Sequence, residues 1–114
     1  MSFERILTNP NGARPAEQTF TRHELGLILN VYGRMVAAGE WRDYAIDHRR
    51  DRAVFSIFRG SAELAVFRVE KSRGDGGNQA GYSVIGMDGC VLGFGADLRQ
   101  VLRVLERKLI RLVK

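Results

Sequence analysis

The chain is poor in the residues that usually announce a chemistry. It has one cysteine, Cys90, so no internal disulfide can form. A reducing, cytoplasmic setting is therefore expected. Its two histidines, His23 and His48, fall on different predicted elements from each other and from Cys90, never at a helical i, i+4 spacing. That is a poor ligand set, and no metal and no cofactor are expected. No apolar run approaches the roughly 20 residues of a membrane-spanning helix. The opening residues, MSFERILTNPNGARPAEQ, also lack the apolar stretch of a secretory signal. No membrane partner is expected. The glycine-rich run from Ser72 to Gly81 is not followed by Gly-Lys-Ser/Thr or by a helix start, so it reads as a mobile hairpin connection and not as a phosphate cradle.

What is present describes one ordinary globular domain. At 114 residues the chain can bury roughly 65% of its unfolded surface without metals or cross-links. A net charge of +5 attracts anions mildly and falls well short of a histone-like density. Residues 1–19, with Asn9-Pro10-Asn11-Gly12 and Pro15, read as a flexible tail, although Phe3, Ile6 and Leu7 could dock on the body. Residues 20–114 form the domain.

Within the domain, Thr21-x-x-Glu24 fits a capping box opening a helix that runs to about Ala38, with Gly39 as its C-terminal stop. Leu25, Ile28, Leu29, Tyr32, Met35 and Val36, with Leu27, Val31 and Ala38 adjoining, span an apolar arc of roughly 200°, which predicts burial on two sides. Trp41–Arg59 reads as a hairpin turning at Arg49-Arg50-Asp51. Further strands are expected near Leu64–Lys71, Tyr82–Met87 and Cys90–Phe94, the last two joined at Asp88-Gly89. Asp97 and Gln100 then open a second helix. Its Leu98, Val101, Leu102, Leu105, Leu109, Leu112 and Val113 share an arc of about 120°. The fold class is α+β: two layers, an antiparallel five-stranded meander flanked by an N-terminal and a C-terminal helix, order α-β-β-β-β-β-α. The second and third strands carry apolar residues on both faces, Phe55 and Ile57 against Val54 and Phe58, then Leu64 and Val66 against Ala65, Phe67 and Val69. Two helices cover one face, so the other needs a cover; the N-terminal tail, strong sheet curvature or a second subunit could each supply it, and a homodimer is the favoured reading.

Five candidate features remain. Arg99, Arg103, Arg107, Arg111 and Lys114 line the polar side of the last helix and could follow phosphates. No aromatic residues interleave with them for base stacking, so a solvated face is the plainer reading, and nucleic acid is possible but not favoured. The apolar side of that helix is needed for the core, which leaves none free to lie on a membrane. Gly26, Gly33 and Ala37 form a strip of small residues on the first helix, open either to close approach by another helix or to solvent. Trp41 and Tyr44, beside Glu40, Arg42 and Asp43, could form an interface hot spot or close the end of the core. His48 stands beside Asp47 among turn charges, yet neighbours on a strand point to opposite faces and no serine or cysteine nucleophile is placed near it. Cys90 reads as a small packed residue.

The strings GRMVAAGEWRDYAIDH (Gly33–His48), RDRAVFSIFR and QVLRVLERKLIRLV together resemble a family of uncharacterised alphaproteobacterial proteins, domain of unknown function 2794, over about residues 20–113. The resemblance implies a bacterial cytoplasmic setting and brings no activity, cofactor or catalytic residue with it. Titratable residues look dispersed over the elements, without the paired placement that acid–base or nucleophilic chemistry needs. The expected function is that of a small cytoplasmic interaction protein, not an enzyme, with a homodimer and an unknown protein partner. The alternative is nucleic-acid or anion binding by the last helix. A cavity holding two mutually hydrogen-bonded ionisable side chains would contradict the dispersal on which this reading stands.

Overall fold

A computed structural model describes residues 18–60, 64–72 and 81–107. In chain order the elements are α1 (Arg22–Ala37), β1 (Asp43–His48), β2 (Arg52–Phe58), β3 (Phe67–Ser72), β4 (Gly81–Gly86), β5 (Val91–Gly95) and α2 (Leu98–Val101). The strands form one antiparallel sheet in the order β1-β2-β3-β4-β5, the meander expected from the short connections. Two glycines work as the turn chemistry requires, Gly39 with φ +82° after α1 and Gly89 with φ +89° between β4 and β5.

Alternation along the strands sorts the residues into two faces. Ala53, Phe55 and Ile57 of β2, Val69 of β3 and Val84 of β4 are all fully buried under the helices. Ile28, Val31 and Met35 of α1, with Leu98, Val101, Leu102 and Leu105 from the second helical region, close the core over them. β5 presents Gly93 and Gly95 to the same layer, paired with Val84 and Tyr82. A Cβ at Gly93 would lie 2.9 Å from Val104 Cγ2, and one at Gly95 would lie 3.6 Å from Val101 Cγ2. The missing side chains let the second helical region settle onto the strand.

Three expectations are corrected. First, α1 is buried along one side only: Leu29 and Val36 are 37% and 40% exposed. Second, β3 begins at Phe67, so Leu64 and Val66 never reach its outer face. Leu64 is exposed, Val66 packs on the core, and the outer positions of β3 are Arg68 and Glu70. Glu70 is buried there between Arg52 (3.1 Å) and Arg68 (3.3 Å), and Val54 and Ile85 on that face are already buried. The outer face is therefore mixed and ion-paired. Third, the last helix is not continuous. Four helical residues end in a turn at Leu102, and helix resumes over 103–107. Leu102 C=O accepts from both Leu105 and Glu106 N–H at 2.9 and 3.1 Å, a local tightening that keeps Leu102 and Leu105 in the core together. Leu109, Arg111, Leu112, Val113 and Lys114 lie outside the described residues, as do the 72–81 connection from 73 to 80 and the first 17 residues of the expected tail. Gln18 and Thr19 are tied to the body through Arg49 C=O and Lys71 Nζ.

Two substitutions test this packing by urea denaturation. Gly93→Val should cost about 1–3 kcal/mol, because stiff Val104 must move. Gly26→Ala, where an added Cβ meets nothing within 4 Å, should gain about 0.5–1 kcal/mol by restricting the unfolded chain.

Candidate functional site

The capping box at the start of α1 grows into a larger polar knot. Thr21 Oγ1 accepts from Glu24 N–H at 3.1 Å and Glu24 Oε1 accepts from Thr21 N–H at 2.7 Å. The helical register turns Glu24 onto the buried side of α1, where it is 8% exposed. A carboxylate in that position needs strong partners. Lys71 Nζ, on the helix-facing side of β3, donates to Glu24 Oε1 at 3.0 Å and to Thr19 C=O at 2.9 Å. The Tyr82 hydroxyl, opposite Lys71 on β4, donates to Glu24 Oε2. Beside the knot lies a cleft of about 310 Å³ lined by His23, Glu24, Leu27, Tyr82, Asp97 and Arg99, among others.

Glu24 and Tyr82 are thus two ionisable side chains, hydrogen-bonded to each other, at the wall of one cleft. The expectation of dispersed titratable groups is corrected here. The sequence carried a signal for it: Lys71 follows Phe67 and Val69 on the apolar-facing parity of its strand, a charge where the core lies. The partner of that charge, 47 residues away, had no local mark.

The residues singled out from the sequence fall in different places. Arg99, Arg103 and Arg107 are exposed, and none of the three is in an ion pair among the described residues. Arg34 instead pairs with Glu106 at 2.7 Å, joining α1 to the second helical region. Gly26 lines a cleft of about 240 Å³ between these helices, and an added Cβ at Gly26 or Gly33 would meet nothing within 4 Å, so no described helix approaches them closely. Ala37 is exposed. Trp41 is 3% exposed, its ring centroid 5.9 Å from those of Tyr32 and Phe67, and so closes the core. Tyr44 is 41% exposed, stacked on Phe55 at 4.8 Å and edge-on to Tyr32 at 5.0 Å. His48 and Asp47 are exposed, with Asp47 bonded to Arg49 at 2.9 Å. Cys90 is exposed, not packed, and Asp88 beside it pushes its thiol pKa up. Among the described residues no three His, Cys, Asp or Glu side chains could hold a metal ion together.

Two apolar strips are open at opposite margins of the sheet. Leu29 and Val36 flank Tyr32 on α1, next to Tyr44 and Ile46 of β1. At the other margin Met87, Val91, Leu92 and Phe94 are exposed, Phe94 by 79%.

The sequence model of the family described as Protein of unknown function (DUF2794) matches residues 18–102. The chain belongs to that family. No curated protein and no solved structure matches it.

For this DUF2794 chain the knot is saturated. Both Glu24 oxygens accept hydrogen bonds, and although burial alone would raise the carboxyl pKa, the bonds from Tyr82, Thr21 and Lys71 bring it below its usual value. Burial, followed by the bond to Glu24, pushes Tyr82 up to about 12. Neither group titrates near neutrality, where a general acid or base works best. The linkage signs follow. Glu24 stabilises the fold above its unfolded pKa, and that contribution fades as pH falls through the acid range. Tyr82 favours its protonated form in the fold, so its contribution is complete below pH 10 and is lost as pH rises from 10 towards about 12. Tyr82→Phe should cost about 1–3 kcal/mol at pH 7 and flatten the alkaline limb, read from urea midpoints between pH 4 and 12.

Proposed function

We propose that this protein is a non-catalytic interaction module of the cytoplasm that works as a homodimer, joined through the α1–β1 margin. The observation that carries the reading is the exposure of Leu29 and Val36 on α1 and of Tyr44 and Ile46 on β1, each 37–41% exposed, on two elements joined by the Tyr32–Tyr44 ring contact. Gly33 lies beside Leu29 and Val36 on the helix, leaving space for a second backbone to come close. A strip spanning a helix and the neighbouring strand offers both layers to a partner at once, which suits self-complementary pairing about a two-fold axis. The saturated Glu24 knot and the protonated Cys90 thiol support the absence of catalysis, because neither offers a free base or a nucleophile. The cytoplasmic setting rests on the lone exposed cysteine, and no described helix is long and apolar enough to cross a membrane.

Light scattering after gel filtration tests the pairing. At 100 µM the wild-type chain should run at twice its 12.8 kDa mass, and Leu29→Glu/Val36→Glu at the monomer mass with an unchanged far-ultraviolet spectrum. A monomeric wild type ends the dimer reading.

A second reading, an anion surface on the last helical region, is supported by the exposure of Arg99, Arg103 and Arg107 without ion-pair partners among the described residues. On that reading duplex DNA or RNA binds at micromolar concentration in 50 mM salt. Binding then weakens at least tenfold at 200 mM salt and disappears in Arg99→Gln/Arg103→Gln/Arg107→Gln, as a mobility-shift titration will show.

A further inference from the structure

The two margins of the sheet differ in a way that the dimer reading does not use. At the β1 margin the chain satisfies part of its own edge: Asp43 Oδ1 accepts from Tyr44 N–H at 2.8 Å, and Arg49 C=O accepts from Gln18 N–H at 2.9 Å. Such devices discourage pairing by another strand. The β5 margin has none among the described residues. Val91–Gly95 pairs with β4 on one side, and no described side chain or backbone group bonds to its other side. Phe94 stands 79% exposed on this open strand, with Leu92 41% exposed two residues before it.

Along the helix-facing side of the strand runs a groove of about 300 Å³, bordered by Gly93, Gly95, Gln100, Val101, Val104 and Arg107. Leu92 and Phe94 also border the groove, and glycine at positions 93 and 95 leaves those two positions of β5 open to the residues of an added strand. Among the described residues its one cationic group is Arg107, and exposed Arg103 and Arg99 continue the positive charge along the same helical region. The one carboxylate among the described residues at the groove, Asp97, already accepts from Arg99 N–H at 3.1 Å as the helix cap.

We propose that the β5 edge takes, by strand addition, an extended segment of a partner protein in which apolar residues alternate with Asp or Glu. The backbone of that segment pairs with the free side of β5, its apolar side chains cover Phe94, and its carboxylates enter the groove and meet Arg107. This surface is separate from the α1–β1 strip, so the two readings fail independently.

A phage library of random dodecamers, selected on the immobilised full chain and counter-selected on Phe94→Lys/Arg107→Glu, supplies the probe. The expected winners alternate apolar and acidic residues. A fluorescein-labelled synthetic copy of the consensus should bind with a micromolar Kd that weakens at least tenfold in Arg107→Glu alone. The same peptide with lysine in place of each acidic residue should not bind. Both substituted side chains are exposed, and an unchanged melting temperature and solution mass show that the fold and any pairing persist; if Phe94→Lys unfolds the chain, Leu92→Lys serves as the counter-target. Three outcomes overturn the proposal: no enrichment over the counter-target, winners without acidic residues, or an Arg107→Glu affinity equal to wild type. A drop from dimer to monomer mass in Phe94→Lys also overturns it, because the edge would then belong to a second copy.

Discussion

A five-stranded sheet is about 19 Å across from first strand to last at roughly 4.8 Å per strand, and a helix packed on it needs about 10 Å of width. Two helices can cover such a sheet only if they lie side by side and close to it. The chain meets the demand unevenly. α1 seals the middle with Ile28, Val31 and Met35, and the second helical region is drawn onto β4 and β5 by Val84 and by the bare backbone at Gly93 and Gly95. The cover stops short at both margins. The exposed strip beside Tyr44 and the open edge at Phe94 both follow from this geometry.

The Glu24 knot makes the arrangement rigid. It joins α1, β3 and β4 through a single carboxylate, and Arg34 with Glu106 joins the two helical regions on the far side of α1. Removing one partner from a buried ionic group costs more than the bond itself contributes, because the remaining charge is stranded. The helix therefore holds a fixed position over the sheet, and the strip of Leu29 and Val36 is presented in one orientation. A pre-ordered surface loses less entropy on binding than a mobile one. These bonds suit Glu24 and Tyr82 to that mechanical role.

Much of the fold was legible because local chemistry and the global arrangement agree. Thr21 and Glu24 mark the start of α1, Gly39 its end, and Asp88-Gly89 the last hairpin, each by its own conformational preference. The misreadings came where a residue's surroundings, not its neighbours in sequence, decide its role. Leu64 and Val66 continue the alternation of β3, but pairing with β2 begins only at Phe67. Leu29 and Val36 belong to the apolar arc of α1, and only the width of the sheet shows that they outrun it. Trp41 could be an anchor for a partner or a plug for the core, and its contacts with Tyr32 and Phe67 settle that it is the plug. Glycines 93 and 95 gave no sign in the sequence that a helix would need their missing side chains.

The outer face of the sheet is poorly suited to a face-to-face partner. Had it been apolar, as the uncorrected strand limits implied, a face-to-face partner would have been the natural cover. Instead Glu70 is held between Arg52 and Arg68, and breaking that arrangement to dock an apolar surface would strand a buried carboxylate. Docking at a margin asks for no such sacrifice, since the strips there are apolar and uncovered. The two margins lie on opposite sides of the sheet, so a pair of chains joined at the α1–β1 side would carry its two β5 edges outward. A partner with two acidic extended segments, tethered at a matching distance, would then bind far more tightly than one segment alone, without any new contact.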